Sequence, residues 1–295
     1  MSATSTARAA EPGPIALTPT RSALTASRAA LRALILRDLT VLKKNFGEFV
    51  ARTLVQPFLL VFVFLYVFPT IGQGIGGSGN PATESRFATV LVPGVVAISI
   101  MFQGIQAVAM QMSTEFGYTR EIEDRVQAPC PIWLVAVAKV LSGAAQGIIA
   151  AVIVFPIAAV VHAPGVSAHL SVHWAVVVTI IPLASVAMSS LGLVLGTTFE
   201  PRNIGLMFGF VVLPLTFLGG TYYQWTKLAP VKLGSVHWLQ VLVLINPLIY
   251  VAEGMRAGLT DASHMPLYVI YPVLLGFCAA FLGIGLRNFR RRVLV

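Results

Sequence analysis

The chain has unusually few charged residues. Only 11% of its 295 residues are Asp, Glu, Lys or Arg, whereas about 25% is typical of soluble proteins. Hydrophobic residues make up 57%, and the mean hydropathy of +0.84 over the whole length shows that the excess is not confined to one segment. This composition argues against a soluble enzyme, a disordered chain and a nucleic-acid-binding domain. It predicts an all-α polytopic membrane protein.

Motifs for catalysis and metal binding are also lacking. The sequence contains no G-x-x-x-x-G-K-[ST] and therefore no recognisable ATPase site of its own. H-E-x-x-H, G-x-S-x-G and D-D-x-x-D are absent as well. The two cysteines, Cys130 and Cys278, do not have metal-type spacing, and His162, His169 and His173 have no cysteine or carboxylate close by. We therefore predict neither catalytic residues nor a metal site in this chain.

Long windows with at most one charge divide the chain into membrane spans. A spanning helix needs about 20 apolar residues, and one charge at the bilayer centre costs at least about 2.5–3.5 kcal/mol. The predicted spans are 54–71, 88–112, 134–161, 174–197, 204–221 and 267–286. The six spans form one domain, 53–287, and a basic tail (288–295) follows it. Residues 1–21 are predicted to be a disordered cytoplasmic tail, because they lack the apolar core of a signal peptide.

One further apolar run, Leu239–Ala252, is only about 14 residues long and is broken by Asn246-Pro247. Such a length is typical of a re-entrant segment, and the alternative is a kinked seventh span. The distribution of positive charge argues against the alternative. With six spans, 16 of the 20 Lys and Arg residues lie on one side, which the positive-inside rule makes cytoplasmic. Both termini are then expected in the cytoplasm, and the pI near 10.0 needs no nucleic acid.

Residues 22–52 have the pattern of an amphipathic helix. Apolar residues recur at helical spacing, and the cations Arg28, Arg32, Lys43 and Lys44 lie mostly on another face. We predict a helix in the membrane interface, which serves either as a lipid anchor or as a platform for a cytoplasmic partner.

The connection between the second and third spans concentrates charge. Six charged residues occupy 11 positions between residues 115 and 125. Arg120 and Asp124, like Glu121 and Arg125, are four residues apart, so a short helix with internal ion pairs can form before Pro129 and Pro131. The segment is either a contact for another protein or a solvated loop.

Polar and aromatic residues elsewhere leave two kinds of role open. In the second span Gln103 and Gln106 share a face with Met110, either for helix packing or to line a path for a substrate. Aromatic residues follow the fifth span, as in an interfacial belt. Glu253 and Arg256, three residues apart, are expected to form a structural pair.

Several of these segments match known motifs. The first is E-F-G-x-x-R-E-I, formed here by Glu115, Phe116, Gly117, Arg120, Glu121 and Ile122, and followed by Ala128-Pro129. The second is N-P-x-x-Y-x-x-x-x-x-R, formed by Asn246, Pro247, Tyr250 and Arg256, and Leu218-Gly219-Gly220-Thr221 ends the fifth span. Over about residues 30–290 the chain resembles the type-2 ABC export permeases, and within them the daunorubicin-type drug and nodulation-factor lipo-oligosaccharide exporters. Cys130-Pro131 departs from the family pattern, which loosens the expected end of the charged helix.

The resemblance implies a half-transporter. Two permease chains, identical or related, would pair with two separate ATP-binding subunits, which bind ATP and Mg. A coupling helix over 115–125, including Glu123 and Arg125, would dock on the ATPase, and 28–50 would be the interface helix. The second and fifth spans would line the dimer interface and the substrate path, with Phe102, Gln103, Gln106, Met110 and Phe210. The 222–256 region, including Tyr222, Tyr223, Trp225 and Glu253, would form re-entrant outer helices.

The resemblance thus implies export of an amphipathic drug, lipid or glycolipid. A polysaccharide exporter of the same family is the nearest alternative. An ion-coupled secondary carrier is another, although we expect no carboxylate within the spans to relay protons. An integral membrane enzyme, such as a lipid transferase, is a third.

Overall fold

The computed structural model describes residues 23–72, 80–117, 131–231 and 237–293. The predicted tail 1–21 therefore lies outside the described residues. In chain order the helices are α1 (Ala23–Lys44), α2 (Phe46–Thr70), α3 (Pro81–Gly117), α4 (Ile132–Val160), α5 (Trp174–Thr198), α6 (Pro201–Leu218), α7 (Trp238–Val243), α8 (Pro247–Leu259) and α9 (Leu267–Val293).

Six of these helices, α2 to α6 and α9, are long and apolar enough to cross a membrane. The described residues contain no strand, so the predicted all-α fold with six spans is confirmed. Most helices extend beyond the predicted apolar windows, because polar residues at their ends continue the helix where it leaves hydrocarbon. Thus α9 continues to Val293 and includes most of the segment predicted as a basic tail.

The third helix, α3, is at the centre of the bundle. Inside this chain 83% of its apolar window is buried, against only 17% for α6 and α9. Small residues allow α5 to approach α3 closely: a Cβ on Gly192 would lie 2.9 Å from the Ile105 carbonyl oxygen, and one on Gly196 would lie 2.9 Å from Ala109 Cα. Close packing of backbones over small residues is how membrane helices associate without a hydrophobic driving force.

The predicted amphipathic segment 22–52 is divided in the structure. α1 ends at Lys44, and the chain after Asn45 begins the first spanning helix at Phe46. In α1 the cations Arg28, Arg32, Lys43 and Lys44 are exposed, whereas Leu31 is half-buried. The helix therefore has the expected two faces, and its location at the membrane surface stays a prediction.

Two short helices, α7 and α8, occupy the predicted re-entrant region. At the start of α8 the Asn246 side chain accepts a hydrogen bond from Leu248 N–H at 2.9 Å and donates one to the Leu215 carbonyl at 2.8 Å. Pro247 follows at the first helical position, where a missing N–H costs nothing. All 13 residues of α8 are buried, and the helix is too short to span a bilayer.

A buried ion pair fixes α8 in place. Glu253 and Arg256 are both fully buried and join at 2.9 Å, so the pair predicted from their spacing is present. The Glu253 carboxylate also accepts hydrogen bonds from the N–H groups of Trp225 and Met265, both at 2.9 Å. Arg256 donates to the carbonyls of Gly220 and Thr221. One pair thus ties together the chain after α6 and the chain before α9.

Glu253→Ala is expected to lower the free energy of unfolding by about 3–5 kcal/mol, because Arg256 would remain buried without a counter-charge. Thermal unfolding in detergent, followed by circular dichroism, measures the effect. The matched control is Glu200→Ala, which removes the carboxylate of an exposed pair with Arg202 and should cost less than about 1 kcal/mol. Equal unfolding temperatures for the two variants would contradict a supporting role for the buried pair.

Candidate functional site

The E-F-G residues form the last turn of α3, at the end of the bundle where α5 and α9 end and α4 and α6 begin. We call this end, which carries Glu115, Lys139, Arg202 and Arg292, the basic end. Each of the three motif residues contacts a different part of the chain. The motif therefore acts as a junction between helices.

Glu115 forms an ion pair inside the protein. Its carboxylate lies 2.7 Å from Lys139 Nζ on α4, and Lys139 is only 3% exposed. The same ammonium group donates to Gln111 Oε1 at 3.2 Å and lies 3.6 Å from the Asp38 carboxylate on α1. One buried cation therefore joins α1, α3 and α4.

Sequence reasoning assigned no role to Asp38 or Lys139. A signal was present, because Lys139 falls inside the predicted third span, 134–161. A charge within a span needs a partner on another element. The partner's identity depends on helix packing, which periodicity alone does not give.

Phe116 and Gly117 complete the junction. The Phe116 ring packs edge-on against Phe289 of α9, with centroids 5.9 Å apart, and the Arg292 guanidinium lies 4.6 Å from the Phe116 centroid. Arg292 also donates to the carbonyls of Gly196, Thr197 and Phe199, at 3.1–3.2 Å, at the end of α5. A Cβ on Gly117 would lie 2.4 Å from the ring of Pro201, so only glycine allows α3 to meet the start of α6.

The other predicted coupling residues, Arg120, Glu121, Ile122, Glu123 and Arg125, lie outside the described residues. The chain leaves the described part at Gly117 and re-enters at Pro131. The junction therefore stands at the start of the charged segment, and it connects that segment to most of the spanning helices. The end of α3 contacts α4 through Glu115 and α9 through Phe116, and Arg292 of α9 in turn contacts the end of α5.

The predicted path residues divide into two groups. Gln103 is buried: its amide donates to Gln146 Oε1 on α4 at 3.2 Å and accepts from Thr53 Oγ1 on α2 at 3.1 Å. It therefore contributes to helix packing. Phe102, Gln106 and Met110, at i, i+4 and i+8, form a partly open stripe on α3, and Phe210 on α6 is 78% exposed.

The opposite end of the bundle contains a cavity of about 630 Å³. Aromatic residues Phe87, Tyr222 and Tyr223 line it, together with two exposed cations, Arg86 and Lys227, and one exposed carboxylate, Asp261. Burial raises the pKa of both tyrosines above the ordinary value, so the phenols stay neutral. Such a cavity offers apolar surface, neutral hydroxyls and positive charge to one ligand.

The remaining predicted outer residues act as supports. Trp225 donates from its indole to the Gln240 carbonyl at 3.4 Å, and Tyr250 donates to the Leu244 carbonyl at 3.0 Å. Both contacts hold the segment around α7 against its neighbours. No sequence signal predicted which carbonyl each side chain would reach.

Comparison with known proteins gives a consistent match. The family model described as "ABC-2 type transporter" matches residues 29–260. The chain is similar to the inner membrane transport permease YadH of Escherichia coli strain K12, with 30% identity over 236 residues, covering 78% of this chain and 84% of the relative. The permease of the same name from Shigella flexneri matches with the same identity and coverage.

A double-mutant cycle tests whether the buried junction is a true ion pair. Glu115→Gln and Lys139→Met should each destabilise the chain, and the double variant should recover at least about 1 kcal/mol relative to their sum, because both charges are then removed. Unfolding in mixed micelles gives the three free energies. The same cycle on the exposed pair Glu200 and Arg202 should show a coupling below about 0.5 kcal/mol. Additive effects at Glu115 and Lys139 would rule out the pair as a joint.

Proposed function

The chain belongs to the ABC-2 type transporter family and is a multi-pass cell-membrane transport permease; from this premise we propose that it is the membrane subunit of an ATP-driven exporter. Permeases of this family generally work with an ATP-binding subunit. The sequence contains no P-loop, and we assign the hydrolysis site to a partner that binds ATP and Mg. The observation that carries the proposal is the E-F-G junction at the start of the charged segment 115–125.

The junction supports coupling for a mechanical reason. A partner that moves the charged segment would act on the last turn of α3, the most buried of the six candidate spanning helices. The Glu115–Lys139 pair transfers that displacement to α4, and Phe116 with Arg292 transfers it to α9 and α5. ATP binding in the partner would thereby shift the population between two access states. In this proposal the basic end and both termini face the cytoplasm.

A second permease chain fits on the exposed side of α6. Leu206, Phe210, Leu213 and Phe217 are exposed along one stripe. Gly205 and Gly209, four residues apart on the same side, have open space around them. A G-x-x-x-G pattern lets two membrane helices approach closely. From α3 the stripe of Phe102, Gln106 and Met110 would contribute to this interface, because the other residues between Leu91 and Met110 are buried in their own chain.

The proposed substrate is an amphipathic drug, lipid or glycolipid. The cavity at the opposite end supports this class, since aromatic rings, hydroxyls and two cations line one space. The alternative substrate is a polysaccharide, which would make the chain a polysaccharide exporter of the same family. An ion-coupled carrier is less well supported, because two of the three buried glutamates, Glu115 and Glu253, are each held by a cation.

The test is ATPase coupling in lipid nanodiscs with the ATP-binding subunit encoded beside this chain. Arg120→Ala and Glu121→Ala should each lower substrate-stimulated ATP hydrolysis at least about fivefold, the lower limit for coupling free energies of 1–3 kcal/mol, while the chain still inserts. The control Arg202→Ala removes an exposed cation at the same end, outside the charged segment and outside the cavity, and should leave coupling to the ATPase intact. Normal transport by both coupling variants, or transport driven by an ion gradient without any ATPase, would refute the proposal.

A further inference from the structure

The four arginines at the end of α9 have two different environments. Arg292 is held by three carbonyls of the α5 terminus and by the Phe116 ring. Arg287, Arg290 and Arg291 are exposed, and none of them has an ion pair with the described part of the chain. Their spacing of i, i+3 and i+4 places the three cations on one side of α9.

These three arginines border a cavity of about 810 Å³. The facing wall is the start of α4, where Ile132 and Trp133 lie, and Leu286 supplies apolar surface on α9. Trp133 is 54% exposed, although it is a large aromatic residue. The cavity therefore has a cationic rim and an apolar wall.

This combination matches one class of ligand. An anionic phospholipid has a phosphate for the arginines and acyl chains for Trp133 and Leu286. Basic pockets between spanning helices bind such headgroups, and tryptophan favours the depth at which headgroup and chains meet. A protein partner would fit less well, because Ile284, one turn before Arg287 on the same side of α9, is an exposed apolar residue of the membrane-spanning part.

We propose that the cleft between the start of α4 and the end of α9 binds an anionic phospholipid from the leaflet at the basic end. The site contains none of the E-F-G residues and shares only Phe289 with the junction, and it does not depend on an ATPase or on the exported substrate. Because Arg292 and Phe289 belong to the same helical turns as the binding arginines, lipid occupancy would also hold the end of α9 against the junction.

Fluorescence quenching by brominated lipid tests the site directly. The parent chain carries Trp174→Phe, Trp225→Phe and Trp238→Phe, so that Trp133 is the only tryptophan. This parent chain is reconstituted in phosphatidylcholine bilayers. Brominated phosphatidylglycerol should quench Trp133 at a mole fraction at least about fivefold lower than brominated phosphatidylcholine, the effect of one arginine near a headgroup. High salt should reduce this preference.

The charge variants separate a built site from general surface attraction. Arg287→Gln, Arg290→Gln and Arg291→Gln together should reduce the preference to within about twofold. The matched control, Arg28→Gln with Arg32→Gln and Lys43→Gln, removes three exposed cations of α1 at the same end and should keep it. Equal quenching by both lipids in the parent, or equal loss in both triple variants, would overturn the site.

Native mass spectrometry of the chain with all its tryptophans checks that the result does not arise from the tryptophan substitutions. Extracted from an equimolar mixture of the two lipids, the chain should retain phosphatidylglycerol in preference, and the arginine variant should not. Retention that 10 mM inorganic phosphate abolishes would show a phosphate site without lipid contact, and would also overturn the proposal.

Discussion

The structure depends on the rule that a charge taken out of water must meet an opposite charge or several hydrogen-bonding groups. This chain has few charges, and the buried ones are concentrated at the two ends of the helix bundle. Lys139 meets carboxylates from two other helices at the basic end. Arg256 meets Glu253 and two carbonyls at the opposite end. Between these ends the helices are held by small residues and close packing. The buried ion pairs therefore determine which helix ends are neighbours.

This division suits a protein that must change shape without unfolding. Packing over glycine and serine gives helices that can shift relative to one another, since no single contact there carries a large energy. The terminal junctions are more specific, because breaking one leaves a buried charge. A change of state is therefore expected to move α3 as a unit with the elements tied to its end. The peripheral helices α2, α6 and α9, which bury little of their surface in this chain, have freedom to meet lipid or another chain.

The sequence was sufficient for the elements but not for their contacts. Windows with at most one charge predicted the six spans, because hydrocarbon excludes unpaired charge and the rule acts on each segment separately. Spacing alone predicted the Glu253–Arg256 pair, since both residues belong to one helix. The Asp38–Lys139–Glu115 cluster joins three helices and depends on how they pack. Gln103 shows the same limit: its spacing allowed a path or a packing role, and only the positions of Thr53 and Gln146 distinguish them.

The arginines of α9 show how the same residue type serves two purposes within one helical turn. Arg292 points toward the ends of α3 and α5, where carbonyls left without helical partners accept its hydrogen bonds. Arg287, Arg290 and Arg291 border an apolar cleft. A row of arginines in a sequence predicts only the side of the membrane, because that rule counts charge and not direction. The direction of each side chain decides whether the charge stabilises the fold or remains free for a ligand.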